Sequence, residues 1–215
     1  MRDSKRRRMD NYLNFAELKA HEREGRDYAI LHREAASPFA VMALHGGGIE
    51  PGTVDIADAI AGEDHTFYAF KGMKKAGNKI LHISSNRYDE PVGAGVATRA
   101  RIVVSVHGCR DSEAVVFVGG RHEALKMRIR DALNRSGFQA TVEEVPGLRG
   151  INPDNICNRC RAGMGVQLEI SRGLREKMFE NLDRRSSRVK TPLFDRFVDA
   201  VRGALAAYGP ENGVG

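Results

Sequence analysis

Short, β-branched apolar runs separated by helical patterns constrain this chain more than any other feature. Phe39–Leu44, Thr66–Phe70, Lys79–Ile83, Arg101–Val106, Ala114–Val118, Gln139–Val145 and Val166–Ile170 each have the length and composition of a strand. Between and after them, Leu125, Ile129 and Leu133 recur every four residues, as do Leu193, Phe197, Val201 and Leu205. The second series follows Thr191-Pro192, an N-cap with proline at the first helical position. Strands that alternate with helices bury both faces of a sheet. The expected fold class is therefore α/β, a largely parallel sheet flanked by helices.

Composition narrows the class further. With 215 residues, 41% hydrophobic and 29% charged, the chain can bury a full core and is not disordered as a whole. Three cysteines, Cys109, Cys157 and Cys160, cannot all pair within one chain, which points to a reducing compartment. No apolar run approaches the roughly 18 residues of a membrane span, and the basic start Arg2 to Arg8 runs into Met9-Asp10-Asn11-Tyr12. The reading is a soluble cytoplasmic protein with no membrane partner. Residues 1–36 mix both charges around Tyr12, Phe15 and Leu18 and are expected to form an N-terminal helical arm. Residues 37–208 are expected to form a single α/β catalytic domain, and 209–215 a flexible tail. The net charge of +6 favours acidic partners without naming one.

In open α/β sheets, ligands gather beyond the carboxyl ends of the strands, so polar residues just after apolar runs carry the functional information. Three places qualify: His45 with Glu50 on the loop His45-Gly-Gly-Gly-Ile-Glu50, His107 after Ile102–Val106, and Glu169 within Val166–Ile170. Two histidines and a glutamate make the ligand set of hydrolytic zinc sites, which keep one position open for water. Zinc lowers the pKa of that water from about 15.7 toward about 7 and polarises a scissile carbonyl. Glu169 beside it suits a general base. Structural readings stand next to these: a tight glycine turn, a histidine bonded to a backbone carbonyl, an outward strand residue. His82, inside Ile80-Leu81-His82-Ile83, reads as a satisfied core residue.

Other motifs fail. The chain has no Gly-x-Ser-x-Gly to partner an esterase-like His-Gly-Gly-Gly. Asn78 stands where a phosphate loop beginning at Gly72 needs lysine. Cys157-Asn-Arg-Cys160 is a single pair, whereas structural zinc takes four ligands.

Taken in order, His45-Gly-Gly-Gly-Ile-Glu-Pro-Gly-Thr53, Leu81-His-Ile-Ser-Ser85, Asp89-Glu-Pro91, Val104-Ser-Val-His-Gly108, Val118-Gly-Gly120, Asn155-Ile-Cys-Asn-Arg159 and Gly165–Ser171 resemble the phage poly-γ-glutamate hydrolase family. The resemblance runs from about Pro38 to about Phe197. It implies a zinc carboxypeptidase-like fold, with a mixed sheet flanked by helices, and hydrolysis of γ-amide bonds. It also implies His45, Glu50 and His107 as zinc ligands and Glu169 as general base. A polymer with a carboxylate on every unit calls for arginines along the cleft, and Arg159 and Arg87 lie nearest the matched motifs. The expected function is thus a zinc-dependent amidohydrolase acting on poly-γ-glutamate or a related acidic polymer. Two alternatives are a metal-dependent deacylase of a small N-acyl amino acid and a non-catalytic nucleic-acid-binding module. The second is motivated by Arg6-Arg7-Arg8 and the stretch Arg172 to Lys190, and is weakened by the acidic residues scattered through the same segments.

Overall fold

The computed structural model of the protein describes residues 10–142 and 148–208. Its elements are α1 (Phe15–His21), β1 (Tyr28–Arg33), β2 (Phe39–Gly47), α2 (Thr53–Ala61), β3 (Thr66–Gly72), α3 (Pro91–Arg99), β4 (Ile102–Gly108), β5 (Val115–Gly120), α4 (Glu123–Arg135), β6 (Gln139–Val142), β7 (Val166–Ile170), α5 (Arg172–Met178), β8 (Phe179–Glu180), β9 (Val189–Lys190) and α6 (Pro192–Ala206). Short 3-10 turns occupy Asn78–Leu81 and Ile156–Asn158.

Among the described residues seven strands form the main sheet, in the order β1-β3-β2-β4-β7-β5-β6. β3, β2, β4 and β7 are mutually parallel; β1 is antiparallel to β3, and β5 is antiparallel to β7 but parallel to β6. The sheet is mixed and largely parallel. All nine residues of β2 are buried, as a central strand covered on both faces requires.

Alternation along the strands sorts two cores. Phe39, Val41, Ile102, Val104, Val106, Leu168 and Ile170 face one side, where Ile56 and Ile60 of α2, Leu125 and Ile129 of α4, and Phe197, Val201 and Leu205 of α6 cover them. Ala40, Met42, Val103, Tyr68 and Phe70 face the other side, packed with Phe15 and Leu18 of α1, Val96 of α3, and Leu81, Ile83 and Tyr88 of the segment before α3. Cys157 and Cys160 are buried free thiols within this second core. No helix of the described residues is long and apolar enough to cross a membrane.

Two segments differ from expectation. The helix expected over 1–36 is confined, among the described residues, to α1, and the chain then enters the sheet as edge strand β1, paired from Tyr28↔Gly72 to Arg33↔Phe67. β1 is only partly buried, so charged residues interrupt its apolar pattern. Conversely, Lys79–Ile83 is not a strand. Gly77, in the left-handed region at φ 73°, starts a 3-10 turn over Asn78–Leu81 that buries Leu81, and Ile83 is buried in the extended segment after it, while β1 takes the ladder position beside β3. A run of five residues does not distinguish the two periods. The expected tail at 209–215 and the end of the Gln139–Val145 run lie outside the described residues.

Candidate active site

β2, β4 and β7 are neighbours in the sheet, so their carboxyl ends open on one place. His107 and Glu169 are direct register partners on β4 and β7 and project to the same face. Strict alternation would put His45 with Val41 and Ala43 on the opposite face. The β2–β3 register shifts between Ala43 and Gly46, however, and the extra residue re-aims His45 toward Ile83, His82 and His107. The glycines after it let the chain pass β3. Gly47 has φ 65°, and a Cβ there would lie 2.3 Å from the Gly72 carbonyl oxygen. The chain then returns so that the Glu50 N–H donates to the His45 carbonyl at 2.8 Å, which turns the Glu50 carboxylate back on the histidines.

His45 Nε2 lies 2.8 Å from the Ile83 carbonyl oxygen and donates to it, so the neutral ring has its lone pair on Nδ1. That Nδ1 is 3.1 Å from His107 Nδ1 and 3.4 Å from Glu50 Oε1, while His107 Nδ1 is 3.9 Å from Glu50 Oε2. Tetrahedral zinc with bonds of about 2.0–2.2 Å sets its ligand atoms about 3.3–3.6 Å apart. The three separations, from 3.1 to 3.9 Å, bracket that edge, and two imidazoles with a carboxylate fit zinc in donor type.

Burial, with the facing His45 charge, pushes the His107 pKa down to about 3, so His107 is neutral and offers a lone pair. Burial also opposes charge on His45, but Glu50 outweighs it and the net shift is upward. Glu50 is held below its usual range despite burial, because His45 and His107 face it. Its Oε2 accepts the Gly108 N–H at 2.8 Å.

His82, read from the sequence as core, stands at this site. Its ring stacks on His45 with centroids 4.0 Å apart, and Asp10 Oδ1 lies 2.7 Å from its Nδ1. His45, Glu50 and His82 also form a group whose ligand atoms lie within 4.8 Å of one another. The two groupings differ in the third member. Asp10 engages the Nδ1 of His82 and leaves its Nε2 as the donor atom, just as Ile83 engages the Nε2 of His45 and leaves its Nδ1.

Glu169 is buried, and Gln167 Nε2 donates to its Oε1 at 3.0 Å. Gln167 also donates to the Leu148 carbonyl at 3.1 Å and accepts from Asn155 Nδ2 at 2.9 Å. The Asn155–Arg159 block thus frames the residue beside Glu169. A cleft of about 570 Å³ opens over the site, lined by Glu50, His82, Gly108, Cys109, Arg110 and Arg172 among others. Arg87 donates to Asp10 Oδ2 at 2.5 Å, and half-buried Arg159 donates to the Tyr88 carbonyl; neither is among the cleft-lining residues.

Sequence reasoning missed His82, Asp10, Gln167 and Arg175. Only His82 carried a signal, as a histidine near the end of an apolar run. Asp10 and Arg175 matter through contacts distant in sequence, and Gln167 through its place two residues before Glu169 on the same face of β7.

A family model for poly-gamma-glutamate hydrolase matches residues 12–200. The UPF0714 protein YndL of Bacillus subtilis (strain 168) is 36% identical over 171 residues, 79% of this chain and 67% of the relative. The structure of a bacteriophage poly-gamma-glutamate hydrolase superposes with a TM-score of 0.89 at 32% identity, covering 93% of this chain and 98% of that one. The zinc-free apo form of YndL superposes with a TM-score of 0.86 at 33% identity, covering 92% and 98%. The α/β architecture is accordingly the zinc carboxypeptidase-like one. Because the match takes in β2, β4 and β7 with the loops that follow them, the chain belongs to the poly-γ-glutamate hydrolase family.

Proposed function

We propose that this protein is a zinc-dependent amide hydrolase cleaving γ-glutamyl bonds in poly-γ-glutamate or a related acidic polymer, with α1 and β1 built into the same catalytic unit as residues 37–208. The observation that carries the reading is the convergence of His45 Nδ1, His107 Nδ1 and the Glu50 carboxylate at 3.1–3.9 Å, beneath an open cleft, in a chain of this family. In this reading those three residues hold the zinc, which when bound polarises the scissile carbonyl and lowers the pKa of water. The Ile83 carbonyl keeps His45 in its ligating tautomer, and the Gly108 N–H keeps Glu50 turned inward.

Glu169 receives the proton of the attacking water on its carboxylate and returns it to the leaving nitrogen. Gln167, itself fixed by Asn155, sets the plane of that carboxylate. Arg110 and Arg172 at the cleft favour a substrate with a carboxylate on each unit. Arg87 and Arg159 are proposed as contacts for more distant units. The free thiols of Cys109, Cys157 and Cys160 support action in a reducing cytoplasm.

The test is size-exclusion analysis of poly-γ-glutamate incubated with zinc-loaded protein. Shortening that is lost on chelation and restored by zinc is expected. Intact polymer at full zinc occupancy would overturn the reading. Cleavage confined to small N-acyl amino acids would move it to a deacylase.

A further inference from the structure

The ladder between β2 and β4 ends at Met42↔Ser105. Beyond that pair, sheet pairing no longer sets the distance between the segment carrying His45 and Glu50 and the segment carrying His107. Arg175, one turn into α5 and only 3% exposed, spans this opening. Its Nη1 donates to the Pro51 carbonyl at 2.8 Å, its Nη2 to the Cys109 carbonyl at 2.9 Å and its Nε to the Ile170 carbonyl at 3.1 Å. Pro51 follows Glu50, Cys109 lies two residues past His107, and Ile170 follows Glu169. One guanidinium therefore bonds to each of the three segments that carry the candidate site.

We propose that Arg175 is a positioning residue that fixes the spacing of the His45, Glu50 and His107 ligand atoms, and of Glu169 beside them, by clamping the loop carbonyls of Pro51 and Cys109 to the end of β7 at Ile170. A planar fork with donors in three directions can do this, whereas an ammonium on a flexible stem cannot hold three carbonyls in one plane. The surroundings are shaped to it. A Cβ on Gly108 would lie 2.6 Å from Arg175 Cζ, so glycine there leaves the guanidinium its place. The Ser171 side chain caps the helix by accepting the Leu174 N–H at 3.0 Å, and a Cβ on Gly173 would lie 2.0 Å from the Ser112 carbonyl oxygen. α5 is thus seated tightly directly after β7, and Arg175 is placed by that seating. The inference rests on the proposed zinc site and deepens it.

The experiment compares zinc affinity, by competition with a chromophoric chelator, in the wild type, Arg175→Lys, Arg175→Ala and Leu205→Ala. The apo melting temperature of each protein is read alongside. Leu205 is buried on α6 in the opposite core, so its truncation lowers stability without touching the loops. Both Arg175 variants are expected to bind zinc about 10–100-fold more weakly, the loss typical of residues that orient ligands. Leu205→Ala, measured below its transition, is expected to keep wild-type affinity.

Folded Arg175 variants that bind zinc as tightly as the wild type would overturn the proposal. So would a loss in Leu205→Ala that tracks its melting temperature, because affinity would then report stability alone. If neither Arg175 variant folds, Gly108→Ala displaces the fork while keeping its charge; the same weakening is expected, and unchanged affinity overturns the proposal. A wild type that binds zinc but leaves poly-γ-glutamate intact refutes the substrate reading and leaves the affinity comparison standing. A wild type that binds no zinc removes both.

Discussion

Glu169 is where a proton-transfer role and a plain strand role make different forecasts. Its carboxylate is buried on the face shared with His107 and accepts a hydrogen bond from Gln167, so it is not the outward residue of a solvated strand. Glu169→Gln keeps the side chain's shape and an oxygen acceptor for Gln167 but cannot take a proton from the attacking water. Zinc content should stay at the wild-type level while turnover of poly-γ-glutamate falls by roughly 10²–10⁴. Elemental analysis and a rate at matched occupancy check this together, and near-normal turnover would remove Glu169 from the chemistry. The histidines proposed as ligands carry a different forecast. The double variant His45→Ala/His107→Ala should lose stoichiometric zinc and retain its circular dichroism spectrum, because the sheet below them is completed by its own ladders and two apolar cores. Zinc that survives this double change unchanged would sink the site.

At the scale of elements, the turn out of β2 is the feature on which the site depends most. The register shift before Gly46 brings His45 to the site face, and Gly47 lets the chain squeeze past Gly72 at the end of β3. Gly47→Ala combines a side chain at φ 65° with a backbone overlap at 2.3 Å. Strain of this kind costs of order 1–3 kcal/mol where the neighbours can yield. Here the neighbour is backbone, so the strand end must move and carry His45 and Glu50 with it. Urea denaturation should show a loss of about that size or more, with weaker zinc binding. A fully stable, zinc-replete Gly47→Ala would show that the turn relaxes without disturbing the ligands.

For the molecule as a whole, charge is the relevant property. The chain carries a net charge of +6, and Arg110, Arg172, Arg175 and Lys79 line the cleft beside Asp10 and Glu50. Arg172 is bonded to Glu176 and Asp183, and Arg175 to backbone carbonyls, so their fields are partly spent internally. Capture of a polyanion by the remaining field should weaken as salt rises, because interactions across more than about 8 Å are screened at physiological ionic strength. The rate on poly-γ-glutamate measured at limiting substrate should therefore fall with added salt, while turnover at saturating substrate changes less. A salt-independent rate at limiting substrate would argue against electrostatic capture. Retardation of random duplex DNA at physiological salt, without hydrolysis, would favour the nucleic-acid alternative.

Apolar runs followed by polar residues marked β2, β4 and β7 together with the side chains at their ends, and this was legible because strand burial and strand-end chemistry are both local patterns. The segments at 28–33 and 79–83 were not legible, since each is short and its state was settled by which of them could complete a ladder with β3. The surroundings of the site were likewise settled only in three dimensions. Asp10 meets His82 across 72 positions of sequence, and Arg175 meets Pro51 across 124. Neither contact leaves a periodic or spaced trace along the chain, because a hydrogen bond to a side chain or carbonyl so distant constrains geometry at one point and not a pattern of residues. Sequence alone thus determined the layered sheet and the residues that could act. Tertiary structure decided that His45, despite its odd position on β2, shares a face with His107, because one extra residue in a parallel strand reverses which side of the sheet a side chain occupies.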